Sequence, residues 1–278
     1  MNYRIAADTS SNVYALEGVD FAYVPLKIVC EKEYVDTPET DVAQMVADLR
    51  ATKHRSGTSC PNVQDWLDSF GDADRVFAIA ITGSLSGSYS AALQAAEEYK
   101  ETHPEAKVHV INSLSAGPEL RVMAEKLVEL IHAGLEFEEI VQKFEEYAKH
   151  THLVFTLESL TNLARNGRVN PAVAKIAGVL GIRVIGKASD VGTLQDMYKV
   201  RGADKSLNTL FKLMLDEKYT GGKARIAHCQ NPEAAERLKQ MLLAKYPMAD
   251  VQIEECGALC SYYAERGGML VGFEDKAY

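Results

Sequence analysis

The chain has 278 residues, of which 47% are hydrophobic and 25% charged, and a formal net charge of −9 at pH 7. That composition belongs to a folded globular protein with enough apolar material for one large core or two modest ones. The acidic balance, without any basic cluster, excludes a nucleic-acid backbone or an anionic membrane surface as a standing partner. No apolar run has the length of a signal-peptide core or of a bilayer span, so a cytoplasmic location is expected. The five cysteines, Cys30, Cys60, Cys229, Cys256 and Cys260, are odd in number and scattered, which suits reduced thiols.

Arg4 to Ala7 reads as a short first strand running into Asp8-Thr9-Ser10-Ser11-Asn12, a turn and helix-capping sequence. Residues 21–29 read as a second strand region, with Pro25 marking an edge or a bulge. A helix over 39–52 places Val42, Met45, Val46 and Leu49 at helical spacing. The hydroxyl-rich loop Thr58-Ser59-Cys60-Pro61-Asn62 precedes a helix over 63–70 and the apolar strand 76–81. That strand opens directly into Thr82-Gly83-Ser84-Leu85-Ser86-Gly87-Ser88-Tyr89 and a helix over 88–99. A strand over 107–112 and helices over 115–133 and 137–150 follow. Strands alternating with helices in this way make a parallel sheet covered on both faces.

Small hydroxyls and free backbone N–H groups at the carboxyl end of a buried strand suit an anion. Neither hydroxyl loop carries the Lys of a nucleotide-phosphate loop, so a carboxylate or a small phosphate is expected rather than ATP. No cofactor and no metal site are expected.

The pattern changes near His150. A strand over 153–157 leads into Leu160 to Asn170 and an apolar helix over 171–180. Short strands are then expected at 183–185, 197–200, 224–228, 251–255 and 269–273, with helices over 204–218 and 232–245. The expected fold class is therefore α/β in two domains. Residues 1–151 form a parallel sheet covered by helices, and residues 152–278 form an α+β domain with a mixed sheet.

Cys256 and Cys260, four apart on an extended segment, would share one face as buried thiols, since a metal needs further ligands at spacing. His150 and His152, two apart on an expected strand, read as structural or solvent-facing in preference to a metal pair, and His228 before the helix cap Asn231-Pro232 reads as structural. His54, His103 and His132 read as surface residues. The pairs Glu138-Glu139, Glu145-Glu146 and Glu254-Glu255 read as solvated faces.

Five segments in this order, Asp8 to Asn12, Thr58 to Asn62, Leu85 to Tyr89, Asn166-Gly167-Arg168-Val169 and the glycine-bearing carboxyl terminus, resemble the DegV family over essentially the whole chain. The resemblance implies the family's EDD fold and one long-chain fatty acid held between two domains. It also implies a partner, an ATP-dependent fatty acid kinase that phosphorylates the carboxylate. By this similarity Thr58 or Ser59 and Ser86 are the hydroxyl donors to the carboxylate, and Arg168 matches the basic residue of the family's Gly-Gly-Arg segment.

The chain departs from the family in two places. Asn166 replaces the first glycine of that segment, and Tyr263 stands where a His belongs in the carboxyl-terminal glycine-rich stretch. A phenol donates to a carboxylate but is neutral at pH 7 and does not shuttle a proton. The departure therefore bears on hand-over to the kinase more than on binding. Arg266, close by, is either the residue that restores the charge or a side chain that points to solvent.

Burying about fifteen methylenes yields roughly 12 kcal/mol gross, whereas a hydrogen bond to a carboxylate adds about 1.5–3 kcal/mol. The tail would supply affinity and the loops register. Ile176, Val179, Leu180 and Ile182 are apolar material for a tunnel or for plain core. A competing reading is a small hydrolase or transferase acting on a carboxylate or phosphate with Cys60 or Ser86 as nucleophile, although no His lies beside Cys60 in sequence.

Overall fold

The computed structural model describes residues 2–52, 54–177 and 181–275. Strand β1 (Tyr3–Asp8) ends in a single 3-10 turn, Thr9–Ser11, capped by the Asp8 carboxylate, which accepts from the Ser10 N–H. The expected second strand is broken at Pro25. Strand β2 (Asp20–Val24) pairs with β1, while β3 (Lys27–Val29) leaves for a small antiparallel sheet with β4 (Glu33–Val35). Proline has no N–H to continue a ladder, and here it marks a change of sheet rather than a bulge.

Helix α1 (Val42–Ala51) starts after Asp41, whose carboxylate accepts from the Gln44 N–H at 2.9 Å. Strand β5 (Gly57–Ser59) completes the small sheet by pairing Thr58 opposite Ile28. The first two hydroxyl residues of the expected loop therefore sit at the end of an edge strand.

Helix α2 (Val63–Phe70) begins with a reciprocal capping box between Asn62 and Asp65. Strand β6 (Arg75–Ala80), helix α3 (Ser88–Thr102), strand β7 (Lys107–Asn112) and helices α4 (Pro118–His132) and α5 (Phe137–Ala148) follow. Helix α4 starts three residues later than expected because Gly117 turns the chain at φ +66 and Pro118 opens the helix. The first sheet has the order β2-β1-β6-β7, all parallel. Alternate side chains serve its two faces, as a period of two requires. Ile5, Phe77 and Ile79 pack beneath Leu120, Met123 and Phe144 of α4 and α5. Ala6, Val76 and Ala78 pack against Trp66, Phe70 and Ala95 of α2 and α3.

The second sheet begins with β8 (Thr151–Leu157), followed by helices α6 (Thr161–Arg165) and α7 (Pro171–Ala177). Strands β9 (Ile182–Ala188) and β10 (Leu194–Arg201) form a hairpin longer than the two short strands expected there. Helix α8 (Ala203–Asp216), strand β11 (Ala224–His228), helix α9 (Pro232–Lys245), strand β12 (Val251–Glu255), helix α10 (Ala258–Ala264) and strand β13 (Met269–Glu274) complete the fold. The order is β10-β9-β8-β13-β11-β12, with only β11 and β12 parallel, so the sheet is mixed.

Helix α10 overturns one expectation. Cys256 follows β12 and Cys260 lies within α10, so the two are not on one extended face, although both thiols are buried. Burial pushes both well above the ordinary thiol range. Of the apolar residues expected for a tunnel, Val179, Leu180 and the side chain of Ile176 lie outside the described residues, and Ile182 starts β9.

Two features join the halves. Helix α4 packs its flank on the first sheet while its first turn lies on β13 at Gly272. Ile28, Met45 and Val46, early in the chain, share a core with Phe155, Leu157 and Tyr262 on the inner face of the second sheet. The outer face of that sheet is covered by α8 and α9 through Leu210, Met214, Leu238 and Leu242.

Candidate functional site

A parallel sheet delivers its loops to the carboxyl ends of its strands, and those after β1, β6 and β7 meet there. Asp8, fully buried, is the post that holds them. Its carboxylate accepts from the Ser10 N–H at 3.2 Å, the Ile81 N–H at 2.9 Å and the Ser88 hydroxyl at 2.6 Å. The Thr82 N–H donates to Ser115 O at 2.9 Å, and the Ser84 hydroxyl donates to Val191 O at 2.6 Å in the β9–β10 turn. The Ser86 loop is thus tied to its own sheet and to the second one.

Below these loops lies a cavity of about 340 Å³. Its floor is the inner face of the second sheet, where period-two alternation on β8 turns Leu153, Phe155 and Leu157 inward. Leu194 and Leu270 add to that floor, and Leu26, Leu163 and Leu259 line it as well. At this volume and apolar character it falls within the range of small-molecule sites.

All five side chains expected from the resemblance, Thr58, Ser59, Ser86, Arg168 and Tyr263, line this one cavity. Thr58 Oγ1 and the Tyr263 hydroxyl are 2.7 Å apart. Burial is the main influence on Tyr263 and pushes its phenol upward, so it stays a neutral donor. Arg168 is half-buried and donates from Nε to Leu85 O at 3.2 Å and from Nη1 to Asn166 O. No carboxylate among the described residues pairs with it, which leaves an uncompensated positive charge one residue from Ser86. Ser59 and Cys60 are exposed, so this polar end opens to the surface.

The two departures from the family pattern have local explanations. Gly167 takes φ +72 whereas Asn166 takes φ −96, so only the second position of the pair requires glycine. Asn166 uses its amide to donate to Asn162 O at 2.8 Å and to the Tyr262 hydroxyl at 2.9 Å. Of the two readings of Arg266 the structure agrees with the solvent-facing one, since it is exposed and outside the cavity lining.

The histidines fall outside the site. His150 and His152 both face the Asp275 carboxylate, at 3.1 and 3.4 Å. His228 is buried and accepts from the Asn231 N–H at 3.3 Å. No group of His, Cys, Asp or Glu among the described residues has the geometry to hold a metal ion.

Sequence reasoning missed three buried polar anchors. Asn12 donates to Glu255 O at 2.9 Å and accepts from the Gly257 N–H, so the capping motif that ends β1 also reaches the second half of the chain. Asp36 accepts from the Ala258 and Leu259 N–H groups at 2.8 and 3.1 Å and from the Tyr14 hydroxyl at 2.7 Å, capping α10 from a distant loop. Glu119 accepts from the Ser115 hydroxyl and, at 2.8 Å, from the Thr151 hydroxyl. Only the capping motif had a local signal.

Burial pushes the Glu119 carboxyl up to about 7 from an ordinary value of 4.5. A raised carboxyl holds its proton more tightly in the folded state than in the unfolded one. Its contribution to stability is therefore full below about pH 4.5 and is lost as pH rises to about 7. Glu119→Gln is expected to remove that loss, gaining about 3 kcal/mol on its parent between the two ends of the window. Urea denaturation at several pH values checks this, and a constant difference between the two proteins would contradict it.

A family model described as uncharacterised proteins of the DegV family matches residues 3–276. The chain is 38% identical over 279 residues to a DegV domain-containing protein of Streptococcus pneumoniae, covering 99% of each. It is similar to the crystal structure of a DegV family protein from Eubacterium eligens loaded with heptadecanoic acid, with a TM-score of 0.96 and 43% identity. That match covers 99% of this chain and 100% of the other. A TM-score of 0.97 and 38% identity, with the same coverage, relate it to the Streptococcus pneumoniae fatty acid kinase B3 protein loaded with linoleic acid.

Proposed function

The chain belongs to the DegV family, and from that premise we propose that it holds one long-chain fatty acid in the cavity between its two sheets and presents the carboxylate to an ATP-dependent fatty acid kinase. One observation carries the reading: an apolar cavity whose surface-facing end bears hydroxyls and an unpaired guanidinium, with no Asp, Glu or His among its described lining residues. Such a site attracts a single negative headgroup and gives an acyl chain a dry place to lie.

In this reading Arg168 supplies charge, and Ser86, Ser59 and the Thr58–Tyr263 hydroxyl pair donate to the carboxylate oxygens. Each methylene buried against Leu153, Phe155, Leu157 and Leu270 adds about 0.8 kcal/mol before the cost of ordering the chain. Affinity resides in the tail, and the headgroup contacts select acids over esters and alcohols.

Tyr263 in place of His is compatible with hand-over. A fatty acid carboxylate is already ionised at neutral pH and needs no base to attack a phosphoryl group, so positioning is what the carrier must provide. The exposure of Ser59 and Cys60 leaves that end open to a partner. We read residues 1–151 and 152–278 as the two domains flanking the ligand, and the cytoplasm as the site of action. Among the described residues no helix is long and apolar enough to cross a membrane.

The nucleophile reading for Cys60 or Ser86 lacks support from the lining, which offers neither side chain a general base. Organic extraction of the purified protein followed by mass spectrometry is expected to release a fatty acid near one per chain, and the absence of any stoichiometric acid would sink the carrier reading. Ser86→Ala and Arg168→Ala are each expected to weaken binding of the delipidated protein to hexadecanoate by about 1–3 kcal/mol. Cys60→Ala should bind as the parent does. A turnover abolished by Cys60→Ala would favour the enzyme instead.

A further inference from the structure

A second cavity, of about 370 Å³, lies against the first and shares Leu114, Leu153 and Ala188 with it. None of the five headgroup residues lines it, and its character is different. Glu119, Thr151, His152, Lys187 and Glu217 contribute to its walls. The partition is polar on its far side, since Ser115 stands in the wall of the acyl cavity while its hydroxyl turns away to donate to Glu119.

Leu114 is unusual in that partition. It is a non-glycine residue at φ +52 and is 40% exposed, although its side chain is large and apolar. A strained backbone holding an exposed Leu between two cavities marks a position kept for what it divides.

Resting on the fatty-acid reading above, we infer that the second cavity is a subsite for a hydroxyl group at the far end of the bound chain, so that the protein takes ω-hydroxy long-chain acids alongside unsubstituted ones. A chain anchored at Arg168 and Ser86 that passes Leu153 and Ala188 leaves the apolar lining and meets groups that donate and accept. A hydroxyl does both: the Glu119 and Thr151 oxygens accept from it, and the Lys187 ammonium, which gives one of its three N–H groups to Glu217, has others to donate.

The charges in the chamber argue for a neutral group. Lys187 is already paired with Glu217 at 2.8 Å and Lys149 with Glu146 at 2.7 Å, and burial pushes His152 down, which leaves its imidazole neutral. A second carboxylate would face Glu119, Glu217 and Asp190 without an unpaired cation among the described lining residues to meet it. A terminal hydroxyl avoids that repulsion.

The test uses delipidated full-length protein and displacement of a fluorescent fatty acid by hexadecanoic, ω-hydroxyhexadecanoic and hexadecanedioic acids at about pH 8. The hydroxy acid is expected to bind within about threefold of hexadecanoic acid, and the diacid at least about tenfold more weakly. Ala148→Leu narrows the second cavity without touching the first. It should weaken the hydroxy acid by about tenfold and leave hexadecanoic acid unchanged.

A hydroxy acid about tenfold weaker than hexadecanoic acid in the unmodified protein would overturn the inference, because a closed apolar end strips the hydroxyl of partners. Equal effects of Ala148→Leu on both acids would overturn it as well. Failure of hexadecanoic acid itself to displace the probe would overturn the carrier reading, and this inference with it.

Discussion

Asp8→Ala is expected to lower stability by about 3 kcal/mol or more and to empty the headgroup site at the same time. The substitution strands the buried Ser10 and Ile81 N–H groups, and a buried donor without a partner costs about 1–3 kcal/mol. The Ser88 hydroxyl loses its 2.6 Å acceptor at the start of α3, which releases the far end of the Ser86 loop. Ser86 is tethered on that side through the Ser88 N–H, which donates to its hydroxyl at 3.3 Å.

The thermal midpoint should fall by about 10 °C, since 1 kcal/mol moves it by about 2–4 °C in a chain of this size class. The purified variant should retain less fatty acid than the parent. Asp8→Asn keeps one acceptor while removing the charge, and it is expected to fall between the two. A parental midpoint and parental lipid content for Asp8→Ala would remove Asp8 from its place as the anchor of these loops.

Gly272→Ala carries the second large effect. A Cβ at this position would lie 2.2 Å from the Glu119 backbone nitrogen and 2.3 Å from the Pro118 carbonyl carbon. These are main-chain atoms in the first turn of α4, so no side-chain rotation relieves the contact. Helix α4 must withdraw from β13, and overpacking of this kind costs about 1–3 kcal/mol, more where backbone has to move.

The loop ahead of α4 carries Ser115 and Ala116 into the cavity wall and ties back to the 3-10 turn after β1 through the Gly117 N–H on Ser10 O at 2.8 Å. Withdrawal therefore opens the seam between the sheets. The expected result is a midpoint lower by roughly 5–10 °C together with a faster loss of bound acid. Denaturation melts and an off-rate measurement check both parts. Unchanged release with lowered stability would mean that the seam does not seal the cavity.

Much of the fold was legible because local physics sufficed. The run Val76 to Ile81 is apolar at every position, which only a strand buried on both faces sustains, and the structure covers it on both sides. Helix α2 lies over 63–70 as expected, where the Asn62–Asp65 capping box fixes its start, whereas α4 was expected three residues early, without weight given to Pro118 at its first position. Where a segment's conformation depends on remote partners, the reading failed. Helix α10 has no capping side chain of its own and is capped by Asp36, more than two hundred residues away in sequence. Pro25 announced an interruption correctly, but which sheet the chain joined next depended on Thr58 and Ile28 meeting across β5.

By itself the sequence determined the order and kind of most elements and the two hydroxyl-bearing segments, because each follows from spacing, capping and burial along a short stretch, while the arginine was singled out by the resemblance to the family. Only the tertiary structure decided that Thr58, Ser59, Ser86, Arg168 and Tyr263 share one cavity, that Arg168 has no carboxylate partner among the described residues while Arg266 is exposed, and that a polar chamber lies behind Leu114. Those are facts about neighbours far apart in the chain. Burial and charge pairing are set by what packs against a residue in three dimensions, which no local pattern encodes.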